Sequence, residues 1–120
     1  MAETSELLDA NLLQVFNNRD GAARRRAIDA VYAEDVTFID PERTVTGRAA
    51  LDERAAALLA GFPDDFEFVA DGPRYIGTST GALAWRLGPP GAAAVARGID
   101  VITVRDGRIS ELRTMLAGED

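Results

Sequence analysis

The chain has 120 residues, 47% of them hydrophobic, and a formal net charge of -7. That length suits one domain over residues 1–120 with a real core, and the acidic balance argues against nucleic acid or anionic membranes as partners. Cysteine, histidine and lysine are all absent, which excludes disulfides, thiol nucleophiles, Schiff-base lysines and imidazole bases.

Chemistry on this chain must therefore run on Asp or Glu, and no metal site is expected once the usual zinc ligands are missing. The apolar runs are too short to span a membrane and no charged-then-apolar leader opens the chain. The expectation is a cytoplasmic protein with no membrane partner.

In chain order, Leu8, Leu12, Val15 and Phe16 fall at helical spacing and predict a helix over residues 5–17, started by Thr4 or Ser5. Asn17-Asn18-Arg19-Asp20-Gly21 ends it, and Asp20 is the expected N-cap of a second helix reaching about Tyr32. Ala27, Ile28, Val31 and Tyr32 would face inward there, with Arg24, Arg25 and Arg26 mostly solvated. Residues 36–40 read as a strand that Pro41 stops. Alternation puts Val36, Phe38 and Asp40 on one face.

Asp40 then has two readings. Its carboxylate could project into an apolar cavity at the strand's end, where desolvation raises its pKa and makes it a useful base, since no cation is evident nearby. Alternatively, Asp-Pro begins a turn and the carboxylate caps neighbouring backbone N–H groups.

Residues 42–46 are extended, and Gly47 opens a third helix whose buried stripe is Leu51, Ala55, Leu58, Leu59 and Phe62. Strands follow over 65–70 and 74–76, then 81–87 and 93–104 as a hairpin around Gly88-Pro89-Pro90-Gly91. Asp106-Gly107 predicts a tight primed turn into a last strand, 108–116. The layout is α+β, with helices covering one face of a sheet. Alternation places Leu83, Trp85, Leu87, Ile99, Val101, Thr103, Leu112, Thr114 and Leu116 inward. Ala82, Ala84, Arg86, Gly98, Asp100, Ile102, Val104, Arg113 and Met115 would face outward. So apolar an outer face predicts a homodimer through the sheet.

Tyr32-Ala33-Glu34-Asp35, Phe38-Ile39-Asp40-Pro41, Thr46-Gly47-Arg48-Ala49-Ala50-Leu51, Gly98-Ile99-Asp100-Val101-Ile102 and Asp106-Gly107-Arg108-Ile109 together span nearly the whole chain. In these the chain resembles the nuclear transport factor 2-like superfamily, in the branch of ketosteroid isomerases and SnoaL-type polyketide cyclases. The resemblance implies a cone-shaped, curved antiparallel sheet wrapped on three helices of the N-terminal half, enclosing an apolar pocket, and often a dimer. It also implies that Asp40 matches the isomerases' catalytic base. The isomerases' enolate-holding tyrosine falls at Phe16, their protonated aspartate at Thr103, and a supporting tyrosine at Ala55. The last-strand acid of limonene epoxide hydrolase, a cousin on the scaffold, falls at Thr114.

The expectation is a cofactor-independent general-base enzyme of isomerase, cyclase or dehydratase type, acting on an apolar ring-containing or polyketide-like ketone. With both strong oxyanion donors missing, it should be a poor steroid isomerase. Phe16, Tyr32, Phe38, Trp85, Val101, Thr103, Thr114 and Leu116 are the expected substrate-binding residues. The alternative is a non-catalytic small-molecule-binding or dimerisation module on the same fold.

Overall fold

The computed structural model describes residues 3–118. Helix α1 (Thr4–Ala10) runs directly into a π-helical segment, Asn11–Phe16, where the sequence predicts one continuous α-helix. The wider π winding, a feature often found at functional sites, leaves Asn11, Leu12, Val15 and Phe16 all buried on the same side. Asp20 caps α2 (Gly21–Val31) by accepting from the N–H groups of Ala22 and Ala23, as expected. Of the three arginines, Arg24 departs from expectation. It is buried and donates from Nε to Asp52 at 2.7 Å, which ties α2 to α3 (Arg48–Ala60).

Seven strands form one curved, unclosed sheet: β1 (Tyr32–Ile39), β2 (Thr44–Thr46), β3 (Glu67–Ala70), β4 (Tyr75–Gly77), β5 (Thr80–Gly88), β6 (Ala96–Arg105) and β7 (Arg108–Leu116). The order is β2-β1-β7-β6-β5-β3, with β4 pairing β5 off this path. Tyr32 opens β1 rather than closing α2. The α+β class and the three helices are as expected, but the sheet is mixed rather than antiparallel, because β1 runs parallel to β7. The two are distant in sequence, with α3 and strands β2 to β6 between them.

Asp106 and Gly107 both have positive φ, 53° and 76°, as a type I′ turn between β6 and β7 requires. Gly47, at φ 97°, precedes α3 and donates its N–H to the Val36 carbonyl. The next residue, Arg48, gives Nε and Nη2 to the Tyr32 carbonyl at 3.0 and 2.8 Å. The pairing of β1 with β7 shifts between Tyr32 and Thr37, and the guanidinium supplies a partner there. The Thr46-Gly47-Arg48 motif thus fixes how β1 enters the sheet.

Alternation holds on β1, β5 and β7: Val36, Phe38, Leu83, Trp85, Leu87 and Leu112 are buried. Strand β6 is in the opposite phase. Asp100 and Ile102 are buried and Val104 packs on the core, while Thr103 is exposed and Ile99 and Val101 are half-buried on the outer side. The cross-strand pairs agree, since Asp100 sits between Leu83 and Thr114, and Ile102 faces Leu112. A one-residue slip exchanges every side chain between faces. The register shift at Thr103/Val104 lies beyond these pairs, so the buried phase of Leu83 and Leu112 carries straight across to Asp100 and Ile102.

Candidate active site

A cavity of about 260 Å³ lies between the inner face of the sheet and the helices. This is just below the roughly 300–1,000 Å³ typical of drug-sized ligand sites. Its walls include Leu12, Phe16, Phe38, Phe68, Trp85 and Leu87. Edge-to-face contacts lock these aromatics: Phe16 meets Phe38 at 5.4 Å between centroids, and Phe68 meets Trp85 at 5.0 Å. Asn17 fixes the end of the π segment against β3, exchanging two hydrogen bonds with the Phe68 backbone at 2.7 and 2.6 Å. Phe16 and Trp85 therefore line the space and do not fill it. Exposed Pro41, Glu42 and Leu116 form its rim, so the cavity reaches the surface on that side.

Besides Glu42 at the rim, two carboxyl groups line this space. Asp40 follows β1, next to the rim. Its Oδ1 accepts from the N–H groups of Glu42 and Arg43 at 2.8 and 3.1 Å, and its Oδ2 accepts from Arg54 Nε at 2.6 Å. Both sequence readings therefore describe it in part, since it faces the cavity and also caps a turn. The expected raised pKa does not follow. Burial pushes the carboxyl up, but the Arg54 hydrogen bond, the two backbone donors and the Arg54 charge outweigh it and hold Asp40 below its ordinary value. Arg54 went unseen as the partner although it lies three residues after Leu51 and four before Leu58, on the same stripe of α3.

Asp100 is the second carboxyl, only 6% exposed and among buried walls. Trp85 Nε1 and Thr114 Oγ1 donate to its Oδ1 at 3.0 and 2.7 Å, and Asn11 Nδ2 donates to its Oδ2 at 2.8 Å. Behind it, the Tyr32 hydroxyl donates to Asn11 Oδ1, which sets the amide's orientation. Asp100 matches Asp40 in bond count, two acceptances on one oxygen and one on the other, but all its donors are neutral. Desolvation therefore dominates and raises its pKa. Burial, with Asp100's charge nearby, also raises the Tyr32 hydroxyl well above its usual value.

Of the residues expected from sequence, Asp40, Phe16, Phe38, Trp85, Thr114 and Leu116 line the cavity. Tyr32, Val101 and Thr103 do not. Tyr32 is fully buried behind Asn11, and the phase of β6 turns Val101 and Thr103 to the outer side. Asn11, Arg54 and Asp100 are the polar members that sequence reasoning missed. The signal for Asp100 is an acid in mid-strand between Ile99 and Val101, which alternation from a core-facing Ile99 and Val101 places outward.

A family model for the SnoaL-like domain matches residues 10–112, and the chain belongs to that family. No curated protein matches it. Among solved structures, it superposes with a TM-score of 0.87 on a proposed isomerase of the SnoaL-like family from Agrobacterium tumefaciens, at 26% identity over 95% of this chain and 97% of the other. A proposed SnoaL-like polyketide cyclase from a Jannaschia species gives 0.72 at 20% identity, over 93% and 85% of the two chains. A proposed ketosteroid isomerase from Kribbella flavida gives 0.70 at 19% identity, over 96% and 78%. These last two share the fold.

Proposed function

We propose that the protein is a cofactor-independent acid–base enzyme of isomerase or cyclase type, acting on a compact apolar ketone. The observation that carries this reading is a pair of carboxyls in one cavity whose surroundings push their pKa values apart. Such a pair divides the labour of acid and base. Asp40, ionised and held by Arg54, takes a proton from the carbon beside the carbonyl. Asp100, the more readily neutral group, presents its O–H to the carbonyl oxygen as negative charge develops there. Protonation on Oδ2 keeps all three donors of Asp100 engaged and leaves the new O–H for the ligand.

This supplies the donor that the assignment to Thr103 had removed, while Phe16 still offers none. A low pKa makes Asp40 a weak base, so the reaction depends on the Asp100 side of the site. The cavity volume favours monocyclic or small bicyclic ketones over steroids.

The test is deuterium uptake beside the carbonyl in a panel of cyclic ketones incubated in heavy water. Uptake that disappears in both Asp40→Asn and Asp100→Asn supports the reading. Retention in Asp40→Asn, with activity that rises as Asp100 ionises, would make Asp100 the base. No uptake by the wild type with any ketone that binds would favour a binding module instead. The outer face, recast as Ala82, Ala84, Ile99, Val101 and Met115, remains the surface through which we propose a homodimer.

A further inference from the structure

Arg54 is engaged on one edge only. Its Nε goes to Asp40 at 2.6 Å and its Nη2 reaches Glu42 at 3.5 Å, while no described residue accepts from Nη1. No fully buried side-chain nitrogen or oxygen lacks a partner among the described residues, so Nη1 lies on accessible surface. The side chain is nevertheless only 10% exposed, and the residue lines the cavity beside the rim. A guanidinium carries five N–H donors in a rigid fork, and the Asp40 pair aligns this one. A donor edge at the cavity's outer end thus stands apart from the Asp100 carboxyl among its buried walls.

We propose that Arg54 is the specificity-determining residue of the site, donating through Nη1 to a second oxygen of the ligand. This rests on the reading of the cavity as a ketone site and extends it to a substrate class. The ligand is a compact alicyclic or aromatic ring system with one carbonyl oxygen held at Asp100 and a second acceptor oxygen at the rim. That second oxygen is neutral, a ketone or hydroxyl rather than a carboxylate. Asp40 and Glu42 already surround the single charge of Arg54, so a further anion would meet two carboxylates sharing one cation.

The probes are a decalone, the matching decalindione with its second ketone on the other ring, and the matching keto-decalincarboxylate. Titration calorimetry compares wild type, Arg54→Met and Arg54→Lys, with near-ultraviolet circular dichroism confirming the fold of each. The wild type should prefer the dione over the decalone by about tenfold or more, the lower end of what a hydrogen bond to a charged group supplies. Arg54→Met should lose that preference, read as the ratio of its dione and decalone affinities. Arg54→Lys, whose ammonium cannot hold Asp40 and a ligand through separate edges, should lose most of it.

An undiminished preference for the dione in both variants would overturn the proposal, as would a keto-carboxylate binding the wild type as tightly as the dione. Failure of the wild type to bind the decalone at all would instead remove the ketone-site reading on which it rests.

Discussion

Replacing Asp40 by Asn isolates what its charge contributes. Asparagine keeps one carbonyl oxygen, which can still accept from the N–H groups of Glu42 and Arg43. It turns an amide N–H₂ toward Arg54 Nε, where an Oδ2 acceptor stood 2.6 Å away. The two side chains are only 6% and 10% exposed, so water replaces the lost acceptor poorly. A hydrogen bond to a charged group is worth about 1.5–3 kcal/mol, and breaking one partner of a buried pair leaves the other uncompensated. With the turn cap retained, a loss of about 2 kcal/mol at neutral pH is expected, or roughly 8–12 °C in melting temperature for a chain of this size.

The sign with pH follows from the lowered pKa of Asp40. Its stabilisation is present above the unfolded value of about 3.9 and is lost as pH falls through the folded one. Guanidinium melts of wild type and variant should therefore differ at neutral pH and converge in acid. Equal stability at neutral pH would mean that Arg54 does not hold Asp40, and the ion pair at the rim would have to be abandoned.

Asp100→Asn should show the opposite trend. A raised folded pKa means that ionisation penalises the native state as pH rises from about 3.9 through that value, so the variant should gain on wild type between acid and neutral pH; parallel pH dependences would contradict this. Gly98→Ala would put a Cβ 2.5 Å from Trp85 Cζ2 and 2.6 Å from the Met115 carbonyl oxygen. We expect a loss of about 1–3 kcal/mol and a changed emission from the chain's sole tryptophan, and an unperturbed spectrum would refute the contact. Sedimentation at micromolar concentration should show a dimer of the 12.8 kDa chain, and Val101→Glu on the outer face should dissociate it. A wild type that sediments only as monomer would remove the proposed interface.

The sequence made most of the scaffold legible because its local signals agree with one another. Asp20 caps where it should, Gly47 opens α3, and Asp106-Gly107 turns β6 into β7. The parallel β1–β7 pairing was not legible, since it joins segments far apart that no turn connects. The site was read half correctly for a physical reason. Alternation assigns faces by polarity, and on β6 the core-facing slot holds a carboxylate, so the rule chose the wrong phase and hid Asp100. The same polarity rule left Arg54 out of the apolar stripe it shares with Leu51 and Leu58. Local rules fail where charged groups are placed inside on behalf of a site.

The central claim is that one cavity pushes two aspartates in opposite directions. The most direct measurement is a carbon-13 carboxyl titration followed by nuclear magnetic resonance, with the two signals assigned through Asp40→Asn and Asp100→Asn. Asp40 should titrate below the ordinary aspartate value of about 3.9 and Asp100 above it. Coincident titrations, or the reverse order, would contradict the account.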